Sequence, residues 1–139
     1  MGLMKSIKEW FATASVPERK YGVSEEVFLL AVLKAVPDGS TMDMADDESE
    51  RWVRKLQPWA IPKTKMRESQ AYRIDLGFRH AVSDLLKEPA DFGEIHMLGI
   101  ASPEGKHLFS MQDNFDYCEM TETIQVAVEK ELKSRTTGL

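Results

Sequence analysis

The pattern of apolar and polar positions is clearest between Gly93 and Asn114. Two apolar runs of strand length flank Ser102-Pro103-Glu104-Gly105, a turn-forming tetrapeptide, which predicts a β-hairpin over residues 94–112. With Ala101 opposite Lys106, Ile100 faces His107, Leu98 faces Phe109 and His96 faces Met111, so these six side chains share one face. Ile95, Met97 and Leu108 take the other face, with the more polar Ser110 and Gln112. A first strand apolar on both sides is the pattern of a central strand covered on both faces, and the second strand is expected nearer an edge.

The remaining elements follow from periodicity and punctuation. Met4, Ile7, Phe11 and Ala14 form one helical stripe beside Trp10, an amphipathic helix over 4–14 that is expected to dock on the core rather than on a membrane surface. Ser24 caps a second helix with Glu25 and Glu26 in its first turn, apolar nearly all round from Val27 to Val36 and stopped by Pro37. Such a helix is buried inside the domain or at a subunit contact. Thr41 to Ala45 alternates as a short strand. Asp46 or Asp47 caps a helix with Trp52, Val53 and Leu56 on its apolar face, ended by Pro58. Trp59 to Arg67 reads as a loop, Gln70 to Leu76 as a strand, and Gly77 to Lys87 as a helix closed by Pro89. Residues 122–134 fit either period. The strong helix formers from Glu129 to Lys133 favour a helix, capped by Thr121 or Thr123.

Helices and strands in this order predict an α/β (α+β) fold: a four-stranded mixed sheet with helices packed on it. A single domain over 1–139 is expected, with an N-terminal helical pair (1–36) on a 37–134 core.

Composition narrows the function classes. The 139 residues are 42% hydrophobic and 29% charged, those of a globular protein. A net charge of −5 makes nucleic acid an unlikely whole-surface partner. One cysteine, Cys118, excludes an internal disulfide and a cysteine-based zinc site, and a cytoplasmic location is expected. Asp116 and Glu119 beside it should raise its pKa. No signal peptide or membrane span is expected, because the start of the chain is charged and the longest apolar run, Val27 to Leu33, is short. Met1-Gly2 with Ser6 fits the loose N-myristoylation pattern, to which no weight attaches.

The Pro37-Asp38-Gly39-Ser40 turn, the 49–56 helix and the Pro58-Trp59-Ala60-Ile61-Pro62 loop resemble a group of small uncharacterised bacterial α/β proteins. The resemblance spans about residues 36 to 134 and implies the fold but no activity.

Candidate chemistry is sparse. No phosphate loop, dinucleotide fingerprint, nucleophile elbow or metal-binding helix motif occurs, so no catalytic residue, metal or cofactor is assigned. Asp43, Asp46, Asp47, Glu48 and Glu50 could hold a hard cation, but helix-start chemistry explains most of them. The strongest charge feature is the basic run from Arg51 to Arg73, with Trp52 and Trp59 interleaved. It suits a solvated face with both indoles in the core, a protein partner, or single-stranded nucleic acid. The expectation drawn from these is a non-enzymatic protein-interaction domain contacting an unidentified protein partner through Arg54, Lys55, Trp59, Lys63, Lys65 and Arg67, with the apolar second helix offering a homodimer contact. The alternative is a small enzyme or ligand-binding protein with a pocket near Asp75, His80 and His96.

Overall fold

Ser24 starts the main helix as its sequence indicates. Its hydroxyl accepts a hydrogen bond from the Val27 amide at 3.2 Å, and α1 runs Glu25–Ala35. Pro37 holds Val36 extended (φ −82°, ψ 149°), so the helix stops there. The computed structural model describes residues 15–44, 50–62, 70–87, 97–112 and 115–137. The helix expected over 4–14 lies outside them, as do its Met4, Ile7 and Phe11 stripe and residues 94–96 of the hairpin.

Before α1 comes a short π-helical turn, Pro17–Tyr21, ended by Gly22 in the left-handed region at φ 66°. The later helices are α2 (Glu50–Leu56), α3 (Leu76–Leu86) and α4 (Glu122–Thr137). Thr121 caps α4, accepting from the Ile124 amide at 3.3 Å, which decides residues 122–134 in favour of helix. The strands are β1 (Thr41–Met44), β2 (Ala60–Ile61), β3 (Gln70–Arg73), β4 (Met97–Ala101), β5 (His107–Gln112) and β6 (Tyr117–Met120).

The expected four-stranded mixed sheet is corrected: the sheet has six strands in the order β2-β3-β1-β4-β5-β6, and every pairing is antiparallel. Two strands escape sequence reading. β2 has two residues, too few to show alternation, and exists by pairing Ala60 with Tyr72 and Ile61 with Ala71. β6 alternates Tyr117 and Glu119 outward with Cys118 and Met120 inward, beneath an acidic composition that reads as loop. The mixed sheet fails because β3 and β4, though joined through a helix and parallel to each other, are not neighbours. β1 inserts between them and runs antiparallel to both, a split β-α-β arrangement.

The hairpin forms, with a different register. Ala101 pairs with His107, and a bulge shifts the ladder so that Ile100 meets Phe109 and Leu98 meets Met111. Ser102 organises a longer turn. Its amide donates to the Lys106 carbonyl at 2.8 Å and its hydroxyl accepts from the Lys106 amide at 3.1 Å. Leu98, Ile100, Phe109 and Met111 remain together on the buried face because their register moves by two, which preserves the pleat. His107 is corrected to exposed by the bulge.

One face of the sheet carries the core. Met42, Met44, Tyr72, Leu98, Ile100, Phe109 and Met111 join buried side chains of α1, α2, α3 and α4 in a single cluster. β4 is interior to the sheet as expected but is not covered on both sides, since Met97 on the opposite face is 52% exposed. α1 spends its apolar surface within this cluster, packing on α3 and α4. Its all-round hydrophobicity is therefore explained inside the domain, and it no longer argues for a homodimer contact.

Candidate functional site

The basic segment is built on α2. Trp52 and Leu56 are buried and fix the helix to the core, so Arg54 and Lys55 stand on its outer side. Arg51 turns instead to α3, donating from Nη2 to the Leu85 carbonyl at 2.9 Å. α2 passes through a single 3-10 turn, Gln57–Trp59, into β2. An open groove of about 710 Å³ lies between α2 and α3, with Arg54 and Lys55 beside Pro58 and Leu85. Acids are already present there: Arg54 meets Glu50 at 3.0 Å, and Lys55 meets Asp84 at 3.8 Å. The side chains of Arg54 and Glu50 are 78% and 86% exposed. Lys87 and Lys55 hold the Asp84 carboxyl below the usual carboxylate range, with the Lys87 hydrogen bond the larger cause.

Trp59 lies on the other side of Pro58. It is half-buried, its ring edge-on to Phe78 at 6.0 Å, and Phe78 in turn is 5.9 Å from Tyr72. Gly77 allows this seat, because a Cβ there would come within 2.9 Å of Trp59 Cζ2. A second recess of about 360 Å³, sharing Pro58 with the first groove, is lined by Trp59, Arg73 and Asp75. Arg54 and Lys55 thus line one recess and Trp59 the other, with Pro58 common to both, while Lys63, Lys65 and Arg67 lie outside the described residues. Trp52 is 1% exposed and offers no stacking surface, which weakens the nucleic-acid alternative.

The alternative pocket is not assembled by the described residues. Asp75 caps α3, its carboxylate accepting from the Phe78 amide at 2.8 Å. His80 is exposed, and its carboxylate neighbour is Asp84, one turn further along the helix. His96 lies outside the described residues. Of the acidic cluster, Asp43 is half-buried on β1 and Glu50 is engaged by Arg54, and Asp46, Asp47 and Glu48 are not described. Among the described residues no group of three or more His, Cys, Asp or Glu could hold a metal ion. None of their helices is long and apolar enough to cross a membrane. Cys118 is half-buried and its thiol is pushed up to about 12, first by burial and then by Glu25 and Asp116, against Arg19.

Sequence reasoning missed Arg79. It donates from Nε to the Leu33 carbonyl at 2.7 Å and from Nη2 to the Val36 carbonyl at 2.9 Å, and pairs with Asp38. It is a structural clamp on the end of α1, and no local signal could have announced a contact more than forty residues away.

No protein-family model, curated protein or solved structure matches the chain.

Proposed function

We propose that the protein is a cytoplasmic, non-enzymatic interaction domain that binds an acidic protein partner across the α2–α3 groove and the neighbouring Trp59. The observation that supports this reading is the placement of Arg54 and Lys55. Both are exposed at the mouth of an open groove floored by Pro58 and Leu85, on a helix whose other side is locked in the core. Their ion pairs with Glu50 and Asp84 are exposed surface pairs, a kind that contributes little to stability. A partner's carboxylates can therefore replace them at little cost. Trp59 adds a large, partly exposed ring fixed on one side by Phe78, the type of residue that anchors interfaces.

The test is capture from native lysate with three baits: wild type, Arg54→Glu/Lys55→Glu and His80→Ala. One stoichiometric protein, kept by wild type and His80→Ala and lost by the charge-reversed bait, is expected. Identical lists from all three, or loss only with His80→Ala, would overturn the assignment.

A further inference from the structure

A second groove lies between the Pro17–Tyr21 turn and α4, on surface that the reading above does not use. It holds about 650 Å³, and its apolar lining is Val23, Val126 and Leu132, beside Tyr21. Val126 is 60% exposed and adds apolar surface to the groove on an otherwise polar helix face. The rim is basic. Lys130 and Lys133 follow Val126 at helical spacing, and Lys20 faces them from the turn.

The acids near this rim are engaged. Glu129 accepts from the Tyr21 hydroxyl at 2.9 Å and from Gln125 Nε2 at 3.1 Å. Glu131 pairs with Lys34 at 3.1 Å and with Arg135 at 3.4 Å. Three ammonium groups thus surround an apolar strip with one carboxylate among them, in a molecule of net charge −5. Lys20 and Lys133 lie close enough to Glu129 to act on its charge, and the described lining still carries more lysines than carboxylates.

From this charge complementarity we infer that the groove docks an acidic amphipathic helix of a protein partner, its carboxylates on Lys20, Lys130 and Lys133 and its apolar side chains over Val23 and Val126. Helix-in-groove recognition lays the apolar face of a helix on an apolar groove, and the flanking lysines complement acidic residues beside that face. Nucleic acid is disfavoured by the one aromatic ring among the described lining residues. Tyr21 is stacked on Phe28 (5.8 Å between centroids, 19° between planes), and Lys20 Nζ lies 5.5 Å from its centroid, so no ring face is left for a base.

The probe is a displayed library of random 16-residue peptides, selected on the wild-type protein and then measured as free peptides by fluorescence anisotropy. Enrichment of peptides with acidic and apolar residues at helical spacing is expected, with binding weakened at least about tenfold by Val126→Glu and by Lys130→Glu/Lys133→Glu. Arg54→Glu/Lys55→Glu should leave it unchanged, which separates this groove from the one on α2. All three sites are exposed, so unchanged circular dichroism and melting temperature are expected of each variant. No enrichment, enrichment of basic or neutral peptides, or equal binding by the variants would overturn the inference. So would binding of phosphatidylglycerol vesicles or an oligothymidine strand that is lost in the same variants while no acidic peptide is enriched.

Discussion

Arg79 shows how much one side chain can hold. The last carbonyls of a helix have no partner within it, and Leu33 and Val36 at the end of α1 are both buried. The planar guanidinium supplies three donors in a fixed fork, two to the carbonyls of Leu33 and Val36 and one to Asp38, and its positive charge suits the negative end of the helix. The side chain is only 18% exposed, so these bonds are little diluted by solvent. Arg79→Ala should cost about 2–3 kcal/mol, the loss of charge-assisted hydrogen bonds at a partly buried site. Arg79→Lys should restore only part of this, since one ammonium cannot span both carbonyls and the carboxylate. Urea unfolding of the three proteins checks it. An Arg79→Ala midpoint equal to wild type would show that the fork is incidental.

At the scale of elements, what was legible depended on whether the signal was local. Ser24 and Thr121 cap helices from one turn away, and their roles follow from residue type and spacing. Asp75 does the same for α3, but at the end of an alternating run it also fits the strand pattern. β2 has no local signal at all, because its two residues become a strand only when β3 lies beside them. The prolines flanking it, Pro58 and Pro62, suit that edge, as they offer no amide to a further strand. The basic run was legible as charge, but only packing separates buried Trp52 from half-buried Trp59 and binds Arg51 to α3. Phe28 joins elements that the sequence gives no reason to connect. Its ring lies 5.8 Å from Tyr21 in the π-helical turn, 5.9 Å from Phe109 in β5 and 6.0 Å from Phe115. Phe28→Ala should therefore remove about 3–5 kcal/mol, much of the stability of an ordinary domain. Thermal unfolding by circular dichroism should show a large fall in the midpoint, and Phe28→Leu a smaller one. Equal falls would mean that ring contacts add nothing beyond aliphatic volume.

Over the whole molecule, burial and neighbouring groups displace carboxyl pKa values in both directions. Glu25, in the first turn of α1, has its pKa raised, first by burial and then by Glu18, Glu26 and Asp116, while the neighbouring Ser15 side chain works the other way. The helix dipole at this position favours the carboxylate, yet the net displacement is upward, so desolvation and repulsion win. A raised pKa in the folded state means that the folded chain binds this proton more tightly than the unfolded chain. Its contribution to stability is thus present below the ordinary value of 4.5 and is lost as pH rises from there through the folded value. Asp84 and Glu129 are displaced downward and act with the opposite sign, weakening the fold as pH falls. The total pH profile mixes both, and only a difference between variants isolates Glu25. Glu25→Gln keeps the shape and removes the charge. It should melt higher than wild type near pH 7 and lose that advantage by about pH 4, where the wild-type carboxyl is protonated in both states. Melting curves of the two proteins across this range decide it. An advantage that grows toward acid would show that Glu25 is stabilised as the carboxylate, by Ser15 and the helix end rather than against its acidic neighbours.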